Sequence, residues 1–109
     1  MSQSYLSQDL YEVISKSEEA VVISLSDANH PIFKAHFEGM PLLPGFLQVD
    51  IVAEVLGKEI DAITSAKFMN KVLPSEKLYY SIAPTKSGVR VKLSNASQVL
   101  CGDFKLKWH

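Results

Sequence analysis

The stretch HPIFKAHFEGMPLLPGFLQVDIVAE, residues 30–54, decides the fold. Its first half holds Pro31, Gly39, Pro41, Pro44 and Gly45, which exclude a long helix and a central strand. Yet Ile32, Phe33, Phe37, Met40, Leu42 and Leu43 are mostly too apolar for a free loop, so residues 30–45 read as an ordered segment packed on something. At residue 46 the pattern changes. Leu47, Ile51 and Val55 share one helical face, and Phe46, Val52 and Leu56 widen it. Pro44 at the start and Gly57 at the end are the expected asymmetry. A helix over 46–56 follows. It is apolar around so much of its circumference that protein is expected to surround most of it.

Outside this helix the chain reads mainly as strands. Residues 20–25, AVVISL, form one, between Glu18-Glu19 and Asp27-Ala28-Asn29. Residues 61–73 form another with a polar interruption, before a turn at Pro74-Ser75-Glu76. Residues 78–83 place Leu78, Tyr80 and Ile82 on one face, so Tyr79 and Tyr80 point to opposite sides. Thr85-Lys86-Ser87-Gly88 is a hairpin turn, after which Val89, Val91 and Leu93 alternate with polar residues. After a turn at 95–98, a last strand puts Leu100, Gly102, Phe104, Leu106 and Trp108 on one apolar face. Residues 5–16 fit a short helix through Leu6, Leu10, Val13 and Ile14, and equally the opening of a first strand. The economical fold is α+β: a curled antiparallel β-sheet around one long central helix, in a single domain over 1–109.

Composition narrows the function. Eleven Lys and Arg against twelve Asp and Glu leave no basic excess for a phosphate backbone, so no nucleic-acid partner is expected. Cys101 alone permits no intrachain disulfide and reads as a buried thiol. The start lacks the basic and apolar regions of a signal peptide. The most apolar region, 40–56, is broken by prolines and carboxylates, so no membrane span is expected and a soluble, cytoplasmic protein is. His30 and His36 have no ligand spacing for a metal, and no phosphate-binding loop is present, so no metal and no cofactor are expected.

Two side chains stand out for chemistry. Asp50 is a carboxylate in an apolar helix, where a buried charge needs a partner or a site opening. His36, in the ordered segment, is the side-chain type best suited to move a proton near neutral pH. Together they form a candidate acid–base pair. Pro44-Gly45 adds unpaired helix-start N–H groups suited to a thioester carbonyl, with glycine permitting close approach. The same dipeptide also serves simply to shape the helix entry.

Residues 35–45, Ala-His-Phe-Glu-Gly-Met-Pro-Leu-Leu-Pro-Gly, resemble the active-site motif of the bacterial 3-hydroxyacyl-acyl-carrier-protein dehydratases, the FabZ/FabA-like hotdog proteins. Residues 66–74 are similar to that family's strand before a Pro-Gly-Asp turn. The resemblance implies a hotdog fold and a homodimer, with larger oligomers left open. It implies acyl tunnels at the subunit interface and a substrate thioester on acyl carrier protein or coenzyme A. It assigns His36 and Asp50 as catalytic, one from each subunit, and Gly45 as the N–H donor to the carbonyl. Gly39 supports the active-site turn, and Phe37 and Pro44 belong to the substrate-binding motif. Asp rather than Glu at position 50 is the choice of the branch that also isomerises the double bond.

The departures are Ala35 for glycine, Glu38 for proline, Glu54 for the usual helix glutamine, and Pro74-Ser75-Glu76 for Pro-Gly-Asp. They imply a specialised branch. The expected activity is dehydration of 3-hydroxyacyl thioesters to trans-2-enoyl thioesters. The alternatives are an acyl-thioesterase with Asp50 activating water, and a non-catalytic subunit that binds an acyl carrier or an active partner.

Overall fold

A computed structural model of the chain describes residues 9–35 and 43–109, apart from the side chains of residues 34 and 35. In chain order the elements are strand β1 (Tyr11–Lys16), strand β2 (Ala20–Leu25), a one-turn helix α1 (Pro31–Ala35) and the long helix α2 (Gly45–Leu56). Strands β3 (Ile60–Phe68), β4 (Lys77–Pro84), β5 (Val89–Asn95) and β6 (Leu100–Trp108) follow. The six strands form one antiparallel sheet in the order β1-β2-β4-β5-β6-β3. This is the hotdog fold, with α2 against the concave face of a curled sheet.

Alternation builds the core. Val21, Ile23 and Leu25 of β2, Leu78, Tyr80 and Ile82 of β4, Val91 and Leu93 of β5, and Phe104 and Leu106 of β6 are all buried. Their neighbours Tyr79, Arg90, Lys92, Lys105 and Lys107 are exposed. The pairing register shifts at Ile14 in β1, at Asp61 and Thr64 in β3, and opposite Cys101 in β6. Such irregularities bend a strand and raise its twist, which curls the sheet. The shift in β6 also turns Cys101 inward beside Gly102, so the thiol is buried as the sequence suggests.

Helix α2 meets this surface through Leu47, Ile51, Val52 and Val55. Its end is set by Gly57, whose φ of 67° is the left-handed conformation a glycine adopts without penalty. There the Lys58 N–H reaches back to the Ala53 carbonyl at 2.9 Å and the Gly57 N–H to that of Glu54 at 3.1 Å. The expected enclosure of the helix is only partial. Phe46 is 57% exposed and Asp50 is also open to solvent.

Three other expectations are refined. Residues 11–16 are strand, paired with β2, which settles that part of the opening segment against a helix. The strand expected over 61–73 spans Ile60–Phe68 instead. Asn70 ends it, because its side-chain amide donates to the Leu100 carbonyl at 2.7 Å while the Met69 N–H takes the Cys101 carbonyl at 2.8 Å. Helix α1 was not anticipated. Pro31 opens it, and His30 Nδ1 accepts the Ile32 N–H at 3.0 Å.

A fully buried bond ties the middle of the sheet to the helix. The Tyr80 hydroxyl, on a residue 2% exposed, donates to the Gln48 carbonyl at 2.6 Å. Burial, and then Tyr11 nearby, push the Tyr80 phenol far above its ordinary pKa, so it stays a neutral donor. Tyr80→Phe is expected to lose about 1–2 kcal/mol in urea unfolding with an unchanged denaturant slope.

Candidate active site

The first turn of α2 is the starting point. Pro44 occupies the cap position and offers no side-chain acceptor. Its carbonyl takes the N–H groups of Leu47 and Gln48 at 3.1 and 3.3 Å. The N–H groups of Gly45 and Phe46 have no acceptor among the described residues, as the first donors of a helix do not. Partial positive charge therefore collects there.

This turn forms one side of a cleft of ≈ 550 Å³ whose other side is the chain from Phe68 to Val72. The two sides are joined where the Leu43 N–H donates to the Val72 carbonyl at 2.9 Å. The Phe68 ring lies directly over Gly45: a Cβ there would stand 2.8 Å from two ring carbons. Glycine at position 45 thus permits the ring's approach. Phe68 is itself half exposed and leans on the buried Phe104 ring, with centroids 5.4 Å apart. The cleft lining is mainly apolar.

Gln48 is the buried polar residue of this wall, 4% exposed. Its Nε2 donates to the Leu43 carbonyl at 3.2 Å, holding the segment before the helix against its second turn. Its Oε1 has no partner among the described residues.

Asp50 lies on the open face of α2 and is not part of the cleft lining. Partial burial first, and then the Glu54 carboxylate, push its carboxyl above the ordinary range. Glu54, one turn further on, accepts a hydrogen bond from the Tyr11 hydroxyl of β1.

Of the residues singled out in the sequence, Pro44 and Gly45 meet in the cleft, and Asp50 stands on the exposed face of the same helix. His36, Phe37 and Gly39 lie outside the described residues. Among the described residues no group of three His, Cys, Asp or Glu is arranged to hold a metal, and no helix is long and apolar enough to cross a membrane. Sequence reading missed Gln48, Phe68 and Tyr11. For Gln48 a signal existed: at 100° per residue it falls among Ile51, Val52 and Val55, a polar residue on the apolar face. Phe68 and Tyr11 reach the site only through tertiary packing.

Comparison with known proteins adds the following. The model of the ApeI-like family, described as ApeI dehydratase, matches residues 13–104. The chain is 33% identical over 84 residues to the 3-hydroxyacyl-acyl-carrier-protein dehydratase FabZ of Thermotoga neapolitana, covering 64% of this chain and 59% of that protein. It therefore spans about three fifths of the length of the first such relatives. Among solved structures, the dehydratase heterocomplex ApeI:P of Xenorhabdus doucetiae is similar, with a TM-score of 0.68 at 24% identity over 90% of this chain and 96% of that one. Thioesterase superfamily member 2 of Mus musculus shares the fold, with a TM-score of 0.60 at 14% identity over 91% and 81% of the two chains.

Proposed function

Because the chain belongs to the ApeI-like dehydratase family, we propose that it removes water from 3-hydroxyacyl thioesters to give trans-2-enoyl thioesters. The observation that carries this reading is the pair of N–H groups at Gly45 and Phe46, without an acceptor among the described residues, beside an apolar cleft. In this reading they polarise a thioester carbonyl and so acidify the carbon next to it. His36 then takes the α-proton, the β-carbon–oxygen bond breaks, and Asp50 gives its proton to the hydroxyl, which leaves as water. A proton returns from His36 to Asp50 through solvent to close the cycle. The likeness to the Thermotoga protein favours a substrate on acyl carrier protein, with a coenzyme A thioester as the alternative carrier.

Asp50 lies outside the cleft of its own chain, which supports a site completed by a second subunit. In this reading His36 of one subunit meets Asp50 of the other. The second sheet joins along β3, an edge strand with Ile63 and Phe68 exposed. The partner is a second copy of this chain. A different hotdog chain is the second reading, favoured by the heterocomplex to which the fold is similar.

The test is product analysis. The purified protein is given 3-hydroxyacyl thioesters of several lengths on carrier protein and on coenzyme A. Mass spectrometry is expected to find the enoyl thioester, 18 Da lighter by loss of water. Free acid and thiol would make the protein a thioesterase instead. Product formed only after a second hotdog chain is added would establish the mixed assembly.

A further inference from the structure

Glu54 stands where the dehydratases that this chain resembles carry a glutamine, and the function as derived gives it no part. Its position is unfavourable on local grounds. Asp50 and Glu54 are one turn apart on α2, where like charges repel, and the last turn of the helix holds no basic residue. Glutamine would fill the same space without that cost. The carboxylate is nonetheless held in place, since the Tyr11 hydroxyl donates to Glu54 Oε1 across 43 residues of sequence. A local conflict that a tertiary contact preserves is the kind of departure expected where function sets the residue.

We propose that Glu54, anchored by Tyr11, is a positioning residue whose negative charge favours the protonated form of the adjacent Asp50 carboxyl, the form in which Asp50 serves as the acid that releases water. This rests on the dehydratase reading above. The surroundings leave the effect unopposed. On α2 the charged neighbours are Glu54 itself and, past the helix end, Lys58, drawn toward Glu18 at 3.9 Å. From β1 come Tyr11 and Lys16, and the Lys16 ammonium is engaged by the Val55 carbonyl at 3.3 Å. From the other subunit the proposed group is His36. Among the described residues no cation acts to pull the Asp50 carboxyl down, and both causes that act on it, partial burial and Glu54, push upward.

The sign follows directly. An acid must be protonated to act, so dehydration turnover falls as pH rises through the Asp50 pKa. Replacing Glu54 by the neutral isostere removes the repulsion, lowers that pKa and moves the high-pH limb downward. A ligand-free readout accompanies the kinetics: the side-chain carboxyl of Asp50 is titrated by carbon-13 NMR in the full chain.

In Glu54→Gln the Asp50 midpoint is expected to fall by roughly half a pH unit, and the high-pH limb of kcat by the same amount. Glu54→Asp, which keeps the charge, is expected to restore most of the shift. Tyr11→Phe leaves both carboxylates but removes the hydroxyl that holds Glu54 Oε1, and should move the midpoint in the same direction by less. An Asp50 midpoint unmoved in both Glu54→Gln and Tyr11→Phe would overturn the proposal, whatever the activity. A shifted midpoint in a protein that forms no enoyl thioester would instead uphold the electrostatic coupling and remove its link to dehydration.

Discussion

Asp50→Asn is expected to cut the turnover of 3-hydroxyacyl thioesters by about 10²–10⁴-fold, the range for loss of a general acid. The substitution keeps the size of the side chain but removes the proton that must reach the departing hydroxyl. The fold should not suffer. Asp50 is exposed on α2, and among the described residues it makes no hydrogen bond. The fall should therefore appear in kcat more than in KM, with circular dichroism and the thermal midpoint near those of the wild type. A folded variant keeping more than about a tenth of wild-type kcat would take Asp50 out of the proton-transfer step.

The second large effect is expected at Gly45→Val. Its side chain would have to occupy space now filled by the Phe68 ring, 2.8 Å from the first carbon added. That ring is half exposed and able to turn outward, so the fold can relieve the clash. The cleft cannot be relieved in the same way. A branched side chain over the first turn of α2 stands between any carbonyl and the Gly45 and Phe46 N–H groups. Blocking these donors is expected to lower kcat/KM by about 10²-fold or more, the scale seen when one such donor is lost. Stability in urea should change by no more than about 1 kcal/mol. A variant that unfolds would be resolved by Phe68→Ala in the same chain, which makes room for the new side chain without unblocking the donors. Full activity in a folded Gly45→Val protein would show that the carbonyl binds elsewhere.

Much of this architecture was legible in the sequence because its signals are local. A β-rich run at 20–25 and alternation in 78–83, 89–93 and 100–108 marked four strands, and the Pro44 to Gly57 bracket marked the helix to within one residue. What failed to show depends on distant partners. Asn70 stops β3 through the carbonyl of Leu100, which no window around residue 70 contains. The opening segment stayed ambiguous because strand identity there comes from pairing with β2, while its own residues expose Val13 and Ile14.

The site divides the same way. Pro44 and Gly45 were marked by type and position and line the cleft, while Asp50, marked in the same way, stands outside it. Phe68 over Gly45 and Tyr11 on Glu54 are contacts made by folding. Gln48 lay between the two. Its place on the apolar face was visible, but its bond to the Leu43 carbonyl required the bend before the helix.

The place of β3 at the end of the sheet bears on how the molecule is made. Among the described residues its one strand partner is β6, and the chain between them runs through the β4–β5 hairpin. During synthesis β3 therefore emerges ahead of β6 by the length of residues 69–99. At about 5–20 residues per second that is a wait of roughly 2–6 s with both strand edges unpaired. A flat apolar strand would recruit a neighbouring nascent chain in that time. β3 carries Asp61 near its start and Lys67 near its end, charged side chains that oppose pairing between unfinished copies in that interval. Replacing the exposed Lys67 by an apolar residue should thus appear first as a lower yield of soluble protein from the cell, with the stability of the purified molecule little changed.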